Sequence, residues 1–322
     1  MLNDDLAARR NTPADTQLAF RWQLAFRRPI RAAALLAARR ARGALAILGL
    51  AISPAHGRPL DVVAAENFYG DIARQIGGSE VAVTSILNNP DQDPHEFEAR
   101  PSTARLLARA ALVIYNGIDY DPWLPKLLSA SPSASRQAII VAVLMHKKPG
   151  DNPHIWYDLE TALVLAQTLA GRFGTLDPAH RTGYQSRLAA FEQSLQPLTG
   201  QIAALRRKYA GTPVTATEPV FGYMADALGL KMLNSPFQLA VMNGAEPSAA
   251  ETAAFQASLA TKAAKLLVYN NQTSDALTRR MRAIAEHSGL PVVGVSETEP
   301  PGEDYQQWMR SQLGAIGRAL AQ

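Results

Sequence analysis

The 322-residue sequence contains no cysteine. We therefore expect no disulfide bond, no thiolate metal ligand and no lipidated cysteine anchor. Any metal site must then be built from nitrogen and oxygen ligands. The motifs His-Glu-x-x-His and Gly-x-Ser-x-Gly, which are typical of zinc-dependent and serine hydrolases, are also missing. Their absence disfavours two common classes of secreted enzyme, so we expect a protein that is not an enzyme.

Long hydrophobic runs are missing too. The apolar stretch of residues 43–52 is about half of the roughly 20 residues that a membrane-spanning helix needs. It follows an arginine-rich segment and precedes Ser53-Pro54-Ala55, a cleavage site with small residues. This layout predicts that residues 1–55 are a secretory signal peptide and that the protein is periplasmic. A single membrane anchor is the competing interpretation.

An excess of basic charge belongs to this N-terminal segment. Residues 1–55 hold nine arginines and three acidic residues, whereas the whole chain has 32 basic and 28 acidic side chains and a net charge of +4. Without the segment 23 basic and 25 acidic side chains remain, a formal charge of about −2. A nucleic-acid partner is therefore not expected.

After residue 55, short apolar runs alternate with amphipathic segments. This rhythm predicts βαβ units and an α/β fold, with two lobes that contain parallel sheets flanked by helices. We predict an N-terminal lobe over residues 56–176, a linking backbone helix over 177–208 and a C-terminal lobe over 209–322. No close sequence repeat relates the two lobes.

The predicted linking helix carries the longest helical pattern in the chain. Asp177-Pro178 would begin it, and Pro197 and Gly200 predict a kink or break. An ordinary long surface helix would show the same periodicity. The apolar stripe, at steps of three and four, consists of Leu188, Phe191, Leu195, Leu198, Ile202 and Leu205.

Four side chains that can bind a metal follow predicted strands, where ligands of open α/β sheets gather. A proline precedes each of His95 and His154 and would stiffen its backbone. Taken singly, each histidine could be a surface residue, and Glu218 could simply interact with a helix N-terminus. Glu297 follows the last strand and has nearby competitors, which are Glu299, Glu303 and Asp304.

Several short motifs follow one another along the chain after residue 55. They are Asp93-Pro94-His95, Asn152-Pro153-His154-Ile155-Trp156, Thr217-Glu218 before Phe221-Gly222-Tyr223, Glu246-Pro247-Ser248, and Ser296-Glu297-Thr298 followed by Tyr305. Together they resemble the periplasmic substrate-binding proteins that supply zinc or manganese to ABC importers, a cluster that includes the ZnuA- and TroA-like proteins. The resemblance extends from about Leu60 to the C-terminus. It implies two lobes joined by a rigid helix, one metal ion between them, and His95, His154, Glu218 and Glu297 as its four ligands.

The sequence departs from this family at two points. The last ligand is usually aspartate, and Glu297 is one methylene longer. The histidine-rich acidic loop of dedicated zinc importers is absent, and we expect His146, in the comparable stretch, to be a solvent-exposed loop residue. Two imidazoles and two carboxylates suit Zn²⁺, Mn²⁺ or Fe²⁺, so the choice between zinc and manganese stays open. Because the ligands must lose protons first, affinity should fall in acid.

The first functional hypothesis is a monomeric capture protein, without a lipid anchor, that hands a divalent metal ion to an ABC permease in the inner membrane. The alternatives are a secreted metal-dependent hydrolase and a surface adhesin. Asn270, Asn271 and Gln272 follow a predicted strand and are expected to hydrogen-bond the ligands. Aromatic residues could exclude water from the site, although core packing is the more common role for such residues. They are Trp123, Trp156, Phe221, Tyr223, Tyr269 and Trp308.

Overall fold

A computed structural model describes residues 58–90, 94, 97–272 and 275–322. The predicted signal peptide and His95 lie outside these residues. Among the residues described, none of the helices combines the length and apolar character needed to cross a bilayer.

The first half of the described chain forms a parallel sheet of four strands with helices around it. Its strands are β1 (Leu60–Glu66), β2 (Val81–Leu87), β3 (Leu112–Tyr115) and β4 (Gln137–Ile140). Its helices are α1 (Asn67–Gly77), α2 (Pro101–Arg109), α3 (Trp123–Ala130), α4 (Val141–Leu144) and α5 (Leu159–Leu176).

A long helix, α6 (Arg181–Tyr209), leads to a second parallel sheet of four strands. The strands of this sheet are β5 (Pro213–Ala216), β6 (Lys231–Leu233), β7 (Leu267–Asn270) and β8 (Val292–Val295). The helices of this half are α7 (Gly222–Ala227), α8 (Ser235–Met242), α9 (Ala249–Ala260), α10 (Ala276–His287) and α11 (Tyr305–Ala319).

The two sheets have the same topology, although the sequence shows no close repeat. The strand order is β2-β1-β3-β4 in the first sheet and β6-β5-β7-β8 in the second. In each sheet the chain therefore moves to one side and then to the other, which opens a crevice beyond the carboxyl ends of the two central strands. The crevice lies between β1 and β3 in one half and between β5 and β7 in the other. The predicted α/β fold with two parallel sheets is confirmed.

Both central pairs of strands are covered on two faces. All four residues of β3 and all four of β7 are buried. Such continuous burial is typical of parallel strands that have helices on both sides of the sheet. It holds the strand ends, and the loops that leave them, at fixed positions.

The predicted long helix is present, but its first turn differs from the prediction. Asp177 precedes a 3-10 turn, Pro178–His180, and α6 begins only at Arg181. The Asp177 carboxylate accepts hydrogen bonds from His180 Nδ1 and from Tyr184 Oη, at 2.6 and 2.8 Å, instead of capping α6. A kink or break at Pro197 and Gly200 was also predicted; α6 has no break there, because it runs through both residues, and the kink stays a prediction.

The apolar stripe of α6 packs as predicted. Phe191, Leu195 and Leu198 are buried, and the other three members of the stripe are partly buried against the same core. Arg187 on this helix donates to the carbonyl oxygens of Ile76 and Gly77, at 2.7 and 2.8 Å. It thereby fastens α6 to the end of α1.

Two local features could not be read from the apolar pattern alone. The apolar run from Gln137 to Leu144 suggests one strand, but β4 ends at Ile140 and α4 follows. Val143 in this turn is 62% exposed, so the apolar run does not mark continuous burial. Helix α8 was not predicted because its apolar residues have no clear helical periodicity.

Candidate functional site

Two buried carboxylates lie beyond the strands of the second sheet. Glu218 is two residues past β5 and 2% exposed, and Glu297 is two residues past β8 and fully buried. Asn270, the last residue of β7, donates its side-chain amide to Glu297 Oε1 at 2.6 Å and to Glu218 Oε2 at 3.3 Å. One amide group therefore bridges both carboxylates across the central crevice of this sheet.

The loop that carries Glu297 is held by Gln272. Gln272 Oε1 accepts hydrogen bonds from the backbone N–H groups of Glu297 and Thr298, at 2.6 and 2.9 Å. Its Nε2 donates to Thr298 Oγ1 at 2.9 Å. Asn271, in contrast, is exposed, and its backbone N–H donates to Val295 O at 2.9 Å. Of the three residues 270–272, Asn270 and Gln272 thus hold Glu297 directly.

His154 comes from the other half of the chain and faces these carboxylates. It is fully buried in the loop before α5. Its Nε2 lies 3.6 Å from Glu297 Oε2 and makes no hydrogen bond with any residue that the structure describes. Its Nδ1 lies 2.6 Å from Asn152 Oδ1. One ring nitrogen is therefore held by a neighbour, and the other is directed at the acidic group.

The acids near Glu297 point elsewhere. The backbone of Glu299 exchanges two hydrogen bonds with the Asn67 side chain, at 2.7 and 3.0 Å. Burial, with the charge of Asp71 as a smaller contribution, raises the pKa of Glu299 to about 9. Asp304 caps α11 by accepting from Gln307 N. Among the described acids, Glu297 is the one that faces His154.

Aromatic rings enclose His154. The rings of Trp156 and Tyr120 have centroids 5.2 and 6.1 Å from the imidazole, and both residues are buried. Tyr157 donates its hydroxyl to Ser296 O at 2.8 Å, which joins the two halves next to Glu297. Exclusion of water by these rings strengthens charge interactions inside the site. Sequence reasoning named Trp156 but missed Tyr120 and Tyr157.

A second pair of buried acids lies at the corresponding crevice of the first sheet. Glu66 ends β1 and is fully buried, and Asp121 is 1% exposed. Asp121 accepts hydrogen bonds from the backbone N–H groups of Asn116 and Gly117, at 2.7 and 2.9 Å. Burial raises the pKa of Glu66 well above its ordinary value, and the charge of Asp121 raises it further.

Sequence reasoning missed this pair, although a signal was available. Glu66 ends the first strand much as Glu218 follows the fifth strand. The position of an acid after an apolar run could have pointed to it.

Three of the four predicted ligands lie within the described residues and are linked in a row: His154 faces Glu297 at 3.6 Å, and Asn270 connects Glu297 to Glu218. The fourth, His95, is outside the described residues, and within those residues no group of three or more His, Asp or Glu side chains is arranged to hold a metal ion. His146 is exposed, in agreement with its predicted loop position. The side chains of His154, Glu218 and Glu297 offer nitrogen and oxygen atoms, a set that suits Zn²⁺ and Mn²⁺.

Known proteins have similar sequences and folds. The manganese ABC transporter substrate-binding lipoprotein PsaA of Streptococcus mitis is 24% identical over 291 residues, which cover 83% of this chain and 91% of PsaA. The periplasmic zinc-binding protein TroA of Treponema pallidum has a similar structure, with a TM-score of 0.70, 18% identity and coverage of 83% of this chain and 100% of TroA.

A laminin-binding adhesin, Lmb, of Streptococcus agalactiae also has a similar structure, with a TM-score of 0.66, 23% identity and coverage of 81% of this chain and 99% of Lmb. At these identities the two structural matches establish the fold alone. The sequence itself matches a family over residues 62–319. The chain belongs to this family, described as zinc-uptake complex component A, periplasmic.

Proposed function

We propose that this protein captures one divalent transition metal ion, zinc or manganese, outside the cytoplasm and delivers it to an ABC importer. The observation that carries the proposal is the approach of His154 Nε2 to Glu297 Oε2 at 3.6 Å, with both side chains fully buried. Burial of a carboxylate beside an imidazole costs free energy unless a cation or a proton balances the charge. A divalent cation would balance it.

We assign His95, His154, Glu218 and Glu297 as the ligands. Two neutral imidazoles and two carboxylates balance a charge of +2, so the loaded site would be neutral. Asn270 and Gln272 would hold the carboxylates in place by hydrogen bonds. Partners of this kind orient metal ligands and tune their affinity.

Neither metal is favoured decisively by the ligand chemistry. Relatives named for manganese and for zinc are both similar to this chain. Two oxygen ligands suit manganese better than a set of three histidines would, whereas intrinsic affinity favours zinc. A direct competition between the two ions is therefore part of the test.

The partner would be the permease of an ABC transporter in the inner membrane, and we expect the binding protein to be a periplasmic monomer. PsaA is named a lipoprotein, whereas this sequence contains no cysteine for lipid attachment. Release of the protein without detergent during fractionation of the periplasm would test the expected lack of an anchor.

The alternative of a secreted metal-dependent hydrolase receives no support from the family description or from PsaA, which are both named for metal uptake or transport. Titration of metal-free protein with Zn²⁺ and with Mn²⁺, followed by calorimetry, separates the two functions. Capture predicts one tight site per chain and no turnover of ester or phosphoester substrates. Turnover by the zinc-loaded protein that is lost in His154→Ala would support the hydrolase, and the lack of any tight site would contradict capture.

A further inference from the structure

The side-chain amide of Asn152 has an orientation that two backbone groups determine. The backbone N–H of His154 can only donate, and it points to Oδ1 of Asn152 at 3.1 Å. The carbonyl oxygen of Pro219 can only accept, and it lies 2.7 Å from Nδ2. The oxygen and nitrogen of this amide are thus distinguished by their partners.

This orientation determines which nitrogen of His154 holds the proton. Nδ1 of the imidazole lies 2.6 Å from Asn152 Oδ1, which can only accept. Nδ1 must therefore donate, and in the neutral ring Nε2 carries the lone pair. That lone pair is directed to the side of Glu297. The imidazole is prepared for a metal ion before one binds.

Asn152 also makes hydrogen bonds to the second half of the chain. Pro219 directly follows the candidate ligand Glu218 and begins the turn before α7. Tyr223 on α7 donates its hydroxyl to the backbone carbonyl of Asn152 at 2.8 Å. Two hydrogen bonds therefore join the Asn152 residue to the segment that follows Glu218.

The fit at this contact is tight. A Cβ atom added to Gly222 would lie 2.8 Å from Asn152 Nδ2, closer than side chains normally approach. Glycine at position 222 leaves the space that the amide occupies. Displacement of the amide would disturb its contacts with both His154 and Pro219.

We propose that Asn152 is a positioning residue that fixes the tautomer of His154 and joins it to the segment carrying Glu218, so that the two halves present their ligands to one ion together. The proposal rests on the function proposed above. Loss of a partner that orients a ligating histidine typically lowers metal affinity about 10- to 100-fold. A residue with a merely structural role would leave the tautomer of His154 unchanged.

The test compares Asn152→Ala and Asn152→Asp with the parent protein. Long-range ¹H–¹⁵N spectra of the metal-free protein report the tautomer, and competition with a chelator reports Zn²⁺ affinity. Asn152→Ala should lose the preference for the Nδ1–H tautomer and bind Zn²⁺ about 10- to 100-fold more weakly. Asn152→Asp keeps an acceptor for Nδ1 and should retain the tautomer, but its affinity should be intermediate because the donor to Pro219 is lost. Asn243→Ala, in which an exposed asparagine is changed, should match the parent.

Gly222→Ala tests the contact between the halves without replacing the side chain of His154 or of Asn152. The added methyl group should displace the amide and weaken Zn²⁺ binding about 10-fold or more. An affinity equal to that of the parent would overturn this part of the proposal.

Two outcomes separate the positioning role from the metal site itself. If Asn152→Ala retains the tautomer and binds within twofold of the parent while His154→Ala does not bind, the positioning role is wrong and the metal site stands. If His154→Ala binds as tightly as the parent, the site assignment fails. Should Asn152→Ala not fold, Asn152→Asp decides. Either a lost preference for the Nδ1–H tautomer or a Zn²⁺ affinity equal to that of the parent would contradict the proposal.

Discussion

Nε2 of His154 lies 3.6 Å from Oε2 of Glu297, and both side chains are fully buried. His154 is in a loop of the first half of the chain, and Glu297 follows the last strand of the second sheet. The two halves of the chain therefore place one nitrogen and one oxygen atom beside each other in a buried position.

Removal of either predicted histidine ligand should abolish tight metal binding. His154→Ala and His95→Ala each delete a nitrogen donor, so the loss of Zn²⁺ affinity should exceed the roughly 10- to 100-fold that removal of an outer partner causes. Calorimetry measures the affinity, and circular dichroism checks that the fold is intact. Unchanged affinity in both variants would refute the assignment.

Glu297→Gln and Glu299→Gln should differ strongly in their affinity for Zn²⁺. The first removes a negative charge that faces His154, and we expect Zn²⁺ affinity to fall by at least 10-fold. The second changes an acid that faces Asp71, so affinity should stay within about twofold of the parent. The same chelator competition measures both. A larger loss in Glu299→Gln would move the fourth ligand to Glu299.

Patterns along the chain predicted most of the strands and helices and the position of two candidate ligands, Glu218 and Glu297, after strand ends. Such patterns report local burial and period, which are well defined for β3, β7 and α6. They failed at β4, where an apolar run continues past the end of the strand into α4. They could not show that Asn152 reaches Pro219 or that Glu66 meets Asp121, because these contacts depend on tertiary packing. The equal strand order of the two sheets was hidden for the same reason.

Replacement of Glu66 should change how stability depends on pH. Burial raises the pKa of Glu66 in the folded protein well above its ordinary value of 4.5, so the folded state binds a proton that the unfolded state releases. The free energy of unfolding should then fall as the pH rises above about 4.5 toward the raised pKa. Glu66→Gln is neutral at every pH, so it should be more stable than the parent at pH 7–8 and similar to it at pH 4.

Urea denaturation of both metal-free proteins at pH 4, 6 and 8 measures this effect. A parallel dependence on pH in the two proteins would show that the pKa of Glu66 is not raised in the folded state, contrary to the account.

Arg187 should contribute to the attachment of α6 to α1. Arg187→Ala removes donors to two carbonyl groups at the end of α1 and to Glu80, and we expect the free energy of unfolding to fall by about 1–3 kcal/mol. Arg172→Ala is a suitable control, because this exposed side chain makes one long hydrogen bond, 3.4 Å, to Gln137. Urea denaturation compares the two variants, and an equal loss in both would contradict the role of Arg187.

Anomalous diffraction at the zinc edge, from crystals of protein loaded with one equivalent of Zn²⁺, tests the central claim most directly. The account predicts one strong peak about 2.0–2.2 Å from His154 Nε2 and from a carboxylate oxygen of each of Glu218 and Glu297. A peak coordinated by other residues, with His154 and Glu297 left without metal, would contradict it.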